Sequence, residues 1–174
     1  MKFILIRHTE TDWNTENRLQ GQTDTFINAT GLKQAYTLAK ELAPFNISRI
    51  VSSDLRRASQ TAQIILETIP VPHHVDTRLR ECSFGSLEGF TGEQVRDWYG
   101  FSHYSEGSYD YRSFGGESKD EILKRHHAAF DEYAAKHQGE VLLMIGHGSG
   151  FNTFLASLGQ EPTLKRGQYR IIEY

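Results

Sequence analysis

Two short, continuously apolar runs lie at opposite ends of this chain, and each is followed at once by a histidine. Met1–Ile6 reads MKFILI and leads into Arg7 and His8; Val141–Ile145 reads VLLMI and leads into Gly146, His147 and Gly148. Runs this short, bounded by glycine or polar residues, are the pattern of strands buried on both faces. Such strands need helices on either side of a mainly parallel sheet. In open α/β sheets, ligands sit at the carboxyl ends of the strands. Two imidazoles far apart in sequence are therefore expected to meet at the edge of one sheet, with an arginine beside the first.

The rest of the chain supplies the alternation of strand and helix that such a sheet requires. Thr9–Asn17 is polar and begins a short helix, and Arg18–Thr25, with Gly21, is a loop. Asn28 can cap a helix whose Leu32, Ala35, Ala39 and Leu42 share a face, closed by Pro44. Ser48–Val51 reads as a second strand. Leu55, Ala58, Ala62, Ile65 and Ile69 form a helical stripe ended by Pro70, and a weaker strand runs through His73–Val75. Ser118 and Glu121 make a capping box ahead of Ile122, His126, Ala129, Phe130 and Tyr133. A helix from about Ser149 to Leu158 and an edge strand over Tyr169–Ile172 complete the pattern.

The stretch from Glu81 to Gly116 departs from it. Glycines (Gly85, Gly89, Gly92, Gly100, Gly107, Gly115, Gly116) alternate there with aromatics that include Phe84, Phe90, Trp98, Phe101, Tyr104 and Tyr111. That composition suits an excursion above the sheet edge. The expected architecture is a three-layer α/β/α sandwich: a mainly parallel sheet with helices on both faces. It forms a single domain over residues 1–174 with a short lid insertion at about 82–116. The lid aromatics are expected to fill a small secondary core, with an aromatic specificity wall as the minority reading, and His103 is placed to line the lid.

The 174 residues leave room for one real core. A net charge of −3 and a pI near 6.2 argue against nucleic-acid binding and against a basic membrane-surface protein. Local arginines can still build a cationic pocket for a small anion. The single Cys82 cannot form an internal disulfide. No run is long enough to span a membrane. MKFILI breaks into Arg-His-Thr-Glu without a cleavage region, so no signal peptide is expected. A cytoplasmic enzyme with no nucleic-acid or membrane partner follows, and a homodimer is left open.

Histidine beside arginine at a strand end suits phosphoryl transfer. Neutral imidazole is a competent nucleophile, since its reference pKa is about 6.5. Most of the catalysis lies in holding the phosphoryl group in line and neutralising its oxygens. Arginine does this with a planar fork of parallel donors. Arg7 adjoins His8, and Arg57 opens the helix after the second strand. Its neighbour Arg56 fits a solvated helix position instead. His147 offers a further donor, best when protonated. Glu81, closing Leu79-Arg80-Glu81, is the carboxylic acid best placed to protonate a leaving group.

These residues resemble a known family. Ile4–Asn14, ILIRHTETDWN, resembles the opening motif of the histidine phosphatase superfamily, the phosphoglycerate-mutase-like proteins. Leu19-Gln20-Gly21 with Asp24 looks like its phosphate loop, and Ser52–Ala62, SSDLRRASQTA, like its second signature. Leu79-Arg80-Glu81, Leu87-Glu88-Gly89, Gly116-Glu117-Ser118 and Ile145-Gly146-His147-Gly148 follow in the family's order. The resemblance implies that His8 is the phosphorylated nucleophile and Glu81 the proton donor. It implies that Arg7, Arg57 and His147 bind the phosphoryl group, with Asn14, Gln20, Gly21 and Gly148 as further contacts and no metal or other cofactor. Thr9 stands where the family has glycine. It narrows the approach of backbone to phosphate, while its hydroxyl offers an added donor.

Rival chemistries lack their letters. Cys82 does not open a Cys-x5-Arg loop, Ser149 is misplaced for G-x-S-x-G, and no Walker A or HExxH motif is present. The expected function is metal-independent hydrolysis of a small phosphorylated metabolite through a phosphohistidine. The alternatives are phosphoglycerate-mutase-type transfer and a non-catalytic phospho-ligand-binding module.

Overall fold

The computed structural model describes residues 1–100 and 109–174. Phe101, His103, Tyr104 and Gly107 of the expected lid lie outside the described residues. The elements run β1 (Lys2–Arg7), α1 (Asp12–Thr15), α2 (Ala29–Leu42), β2 (Arg49–Ser52), α3 (Arg56–Thr68) and β3 (His73–Val75). After these come α4 (Gly92–Tyr99), α5 (Lys119–Lys136), β4 (Val141–Gly146), α6 (Gly148–Ser157) and β5 (Tyr169–Glu173). Five strands form one sheet in the order β3-β2-β4-β1-β5. The first four are parallel, and β5 runs antiparallel along the β1 edge.

The apolar runs are continuous because both of their faces are covered. Ile4, Ile6, Ile50, Leu143 and Ile145 point to one side and meet Ala35, Leu38 and Leu42 of α2 and Ala58, Ala62 and Ile65 of α3. The alternate residues Phe3, Leu5, Val51, Leu142 and Met144 meet Phe130 of α5 and Phe151, Phe154 and Leu155 of α6. Phe130 stacks on Phe154 at 4.1 Å and takes the edge of Phe3 at 4.9 Å. The result is the three-layer α/β/α sandwich.

One helix face differs from the pattern. Leu32 is 43% exposed, and the buried stripe of α2 is Gly31, Ala35, Leu38, Ala39 and Leu42. Gly31 takes the inner place because the helix crosses the Glu10 backbone there. A Cβ at Gly31 would lie 2.2 Å from the Glu10 carbonyl oxygen. That close crossing turns Leu32 outward.

The segment after Glu81 builds a satellite core. Cys82, Phe84, Leu87, Val95 and Tyr111 pack with Leu19 and Ile122, and Phe84 meets Tyr111 edge-on at 4.9 Å. Gly85 is required at the turn: its φ is +57°, and a Cβ would sit 1.9 Å from the Phe114 carbonyl oxygen. Among the described residues no helix is long and apolar enough to cross a membrane.

Candidate active site

Strand register puts the two histidines side by side. β1 and β4 are adjacent and parallel, with Arg7 opposite Gly146. One residue further, the His8 N–H donates to the Gly146 carbonyl at 2.9 Å. The rings of His8 and His147 then lie 5.2 Å apart, centre to centre, tilted by 53°. Both are buried.

Hydrogen bonding selects the tautomer of His8. Its Nδ1 is 2.8 Å from the Thr9 carbonyl oxygen, which can only accept, so Nδ1 carries the proton and Nε2 is left with a lone pair. Burial, then the charges of Arg57 and Arg7, hold this imidazole well below its ordinary pKa. His8 is therefore neutral at pH 7. His147 is held down in the same way, first by burial and then by Arg57 and His8. His147 is therefore neutral at pH 7, with one N–H to donate where a protonated ring would offer two. Neither of its ring nitrogens has a partner among the described residues.

Arg57 reaches this edge from the first turn of α3 and is wholly buried. Its guanidinium donates to the carbonyls of Gly21 (2.6 Å) and Thr23 (2.8 Å). Burial lowers its pKa to about 10, so it stays cationic at neutral pH. Arg56 points away, paired with Asp24 at 2.9 Å and lying over the Phe26 ring at 4.8 Å. The loop that Arg57 holds is gripped on its other side by Glu88. That carboxylate accepts from the N–H groups of Gln22 (3.0 Å) and Thr23 (2.8 Å) and from the Thr23 hydroxyl (2.6 Å). Gly21 has φ +51°, and a Cβ there would meet Glu88 Oε1 at 2.1 Å. Only glycine fits between the two clamps.

Glu81 is buried where α6 begins. Its Oε1 accepts from the N–H groups of Cys82 (2.9 Å) and Gly150 (3.1 Å), and its Oε2 from the N–H of Ser149 (3.1 Å). A helix N-terminus is a natural seat for a carboxylate. Asn14 does two things. Its Oδ1 closes the capping box of α1 by accepting from the Thr11 N–H, and its amide is left for the cleft that it lines. Gln20 accepts from the Thr25 hydroxyl at 2.6 Å and lines the same cleft.

Three expected site residues, His147, Thr9 and Gly148, are not among those that line the cleft; His147 is fully buried beside His8. Thr9 is fully buried, with its hydroxyl 3.2 Å from that of Thr61, and it does not line the cleft. The side chain packs behind the nucleophile, toward α3. Gly148 also stays off the wall. A Cβ there would lie 2.8 Å from Cζ of Arg7, so its contribution is room for that guanidinium.

Arg7, His8, Arg57 and Glu81, with Asn14, Gln20 and Gly21, line a cleft of about 280 Å³. Its walls include Trp13, Asn17, Arg18, Phe84 and Arg166. Of the aromatics after Glu81, Phe84 alone among the described residues lines it; Phe90, Tyr109, Tyr111 and Phe114 pack in the satellite core, and Trp98 and Tyr99 are exposed. Sequence reasoning missed Arg166 and the clamping role of Glu88. The available signals were a cation just before the last strand and an acid within the Leu87-Glu88-Gly89 marker.

The fold and its paired histidines place the chain among three-layer α/β proteins that carry their chemistry at the carboxyl edge of the sheet. A family model for the histidine phosphatase superfamily (branch 1) matches residues 3–171, and the chain belongs to that superfamily. A probable phosphoglycerate mutase, GpmB, of Salmonella paratyphi A is 34% identical over 175 residues, covering 98% of this chain and 80% of that protein. Among solved structures, Bacillus stearothermophilus YhfR superposes with a TM-score of 0.87 at 29% identity, over 99% of this chain and 90% of its own. A mycobacterial glucosyl-3-phosphoglycerate phosphatase gives 0.82 at 27% identity, over 99% and 90%. A phosphoserine phosphatase from Entamoeba histolytica, in complex with 3-phosphoglyceric acid, gives 0.76 at 26% identity, over 98% and 89%.

Proposed function

We propose that the protein is a metal-independent phosphomonoesterase that hydrolyses a small phosphate ester through phospho-His8. The observation that carries this reading is the state of His8: neutral, its Nδ1 proton tied to the Thr9 carbonyl, its Nε2 left with a lone pair in an arginine-lined cleft. Nε2 attacks phosphorus, an N–P bond forms and the ester P–O bond breaks. Glu81 gives the leaving oxygen its proton. Water then attacks phosphorus and loses its proton to Glu81. The N–P bond breaks, and inorganic phosphate leaves with His8 neutral again. Arg7, Arg57 and His147 donate to the equatorial oxygens throughout, which is where most of the barrier is removed. Asn14 and Gln20 contribute further polar contacts from the wall.

The named phosphatases among the structural neighbours support hydrolysis. The relative named as a probable phosphoglycerate mutase supports the second reading, in which the phosphoryl group returns to a sugar acid. Release of p-nitrophenol and inorganic phosphate from p-nitrophenyl phosphate, measured with EDTA present, tests the proposal. Turnover is expected to survive the chelator and to vanish in His8→Ala. Activity that persists in His8→Ala refutes the nucleophile. Interconversion of phosphoglycerates without phosphate release favours the mutase.

A further inference from the structure

The arginines of this protein are mostly spent. Arg78 meets Asp76 and Glu132, Arg80 meets Asp54, Arg112 meets Asp110 and Arg125 meets Glu117. Arg18, on the wall of the cleft, meets Glu16. Arg166 stands apart: among the described residues its guanidinium makes no hydrogen bond and no ion pair, although the chain has 22 acidic residues and 19 basic ones. An arginine left without an acid in an acidic protein, on the wall of the cleft that holds His8, has a charge to offer a ligand.

The backbone around Arg166 is held in place. Arg166 forms a parallel bridge with Arg7 at the carboxyl end of β1. Two residues earlier, buried Leu164 donates its N–H to Asn152 Oδ1 at 2.9 Å. One residue later, Gly167 turns with φ +66° against Gln34, where a Cβ would come within 3.3 Å of Cδ. The exposed side chain thus rises from a fixed point beside the deep cradle. Its charge is felt there, since Arg166 is among the groups that hold the His8 pKa down.

The phosphoryl position has its cations already, in Arg7 and Arg57. A further fork nearer solvent is surplus for one phosphate and matches a second anion carried on the other side of the ester oxygen. We infer that Arg166 is a specificity residue that binds a carboxylate or second phosphate on the leaving-group part of the substrate. The substrate class is then a phosphate monoester with an acidic tail. This rests on the phosphomonoesterase reading of the same cleft.

The test compares kcat/KM within two matched pairs: 3-phosphoglycerate against glycerol 3-phosphate, and fructose 1,6-bisphosphate against fructose 6-phosphate. p-Nitrophenyl phosphate serves as the ester without an acidic tail. The wild-type protein is expected to prefer the acidic member of at least one pair, and which pair shows it distinguishes a carboxylate from a phosphate. Arg166→Gln is expected to reduce that preference by about tenfold or more, the usual worth of a charge-assisted hydrogen bond, mainly through KM. Arg166→Lys is expected to restore part of it, because a point charge lacks the fork. No preference in either pair, or an equal loss on acidic and neutral tails, overturns the inference while phosphatase activity stands. Absence of wild-type turnover on every ester, p-nitrophenyl phosphate included, overturns the phosphomonoesterase reading and the inference with it.

Discussion

Acid should weaken this protein through a histidine that takes no part in the proposed chemistry. His126 is fully buried in α5, its Nδ1 proton donated to the Ile122 carbonyl at 3.0 Å, its Nε2 without a partner among the described residues. The ring presses on α6 where Gly150 leaves space; a Cβ there would lie 2.6 Å from Nε2. Burial, then Arg125, pushes its pKa down to about 3; His127 lowers it further, while the Ile122 bond and Asp76 oppose. The unfolded chain takes up this proton near pH 6.5 and the native chain refuses it until about pH 3. Between those limits the unfolded state binds more protons. The stability contribution is therefore whole above pH 6.5 and is lost as pH falls toward 3. At 1.36 kcal/mol per pKa unit, lowering the pH from about 7.5 to about 5 costs roughly 2 kcal/mol at this one residue. That is a large share of the 5–15 kcal/mol typical of a domain. His8 and His147 act in the same direction. Urea unfolding of wild type and His126→Leu across this range isolates the residue, since any packing cost of leucine is independent of pH. The variant should gain on the wild type by roughly 2 kcal/mol between pH 7.5 and pH 5. Parallel stability profiles for the two proteins would refute the reasoning.

Two further outcomes separate neighbouring roles. Arg57→Ala should lower kcat for p-nitrophenyl phosphate by about 10²–10³, the range seen on losing one transition-state donor. Arg56→Ala should leave it near wild type, because an exposed ion pair is worth little; the opposite ranking in steady-state kinetics removes Arg57 from the cradle. Glu81→Gln should slow alkyl phosphates more than p-nitrophenyl phosphate, whose phenolate leaves without a proton. Equal losses on the two esters would take Glu81 out of the proton-donor role.

The layers were legible because burial on both faces leaves its mark in the letters. A strand such as Phe3–Ile6 has no polar residue to spare, and its histidine follows at the edge. Helix caps were legible at Asn28 and Ser118, where side-chain oxygens accept from backbone N–H groups three residues on. The rotation of α2 was not. It depends on one backbone crossing at Gly31, which no periodicity encodes. The clamp of Glu88 on Gln22 and Thr23 spans more than sixty residues of sequence, and Glu88 shows only as part of a marker. Asn14 defeats a choice between cap and site, since one amide group serves both. Thr9 is a steric question that sequence leaves open: whether its hydroxyl faces phosphate or protein depends on Thr61. Arg166 was invisible for the converse reason. What distinguishes it is the partner it lacks.

Neutrality of both imidazoles also explains how one cleft serves two demands. A nucleophile must hold a lone pair, and a phosphoryl dianion must meet positive charge. Burial and the two arginines secure the first by making protonation of His8 unfavourable. In the proposed reaction the second is met by Arg7 and Arg57, and the ester's negative charge opposes the part of the His147 shift that comes from Arg57. A negative charge beside His147 therefore acts to raise its pKa, against the lowering by burial. The Nδ1 proton of His8 is committed to Thr9, which leaves the lone pair on Nε2. The two rings thus share one burial and differ in one contact: the hydrogen bond at Thr9 fixes the tautomer of His8 and has no counterpart at His147 among the described residues.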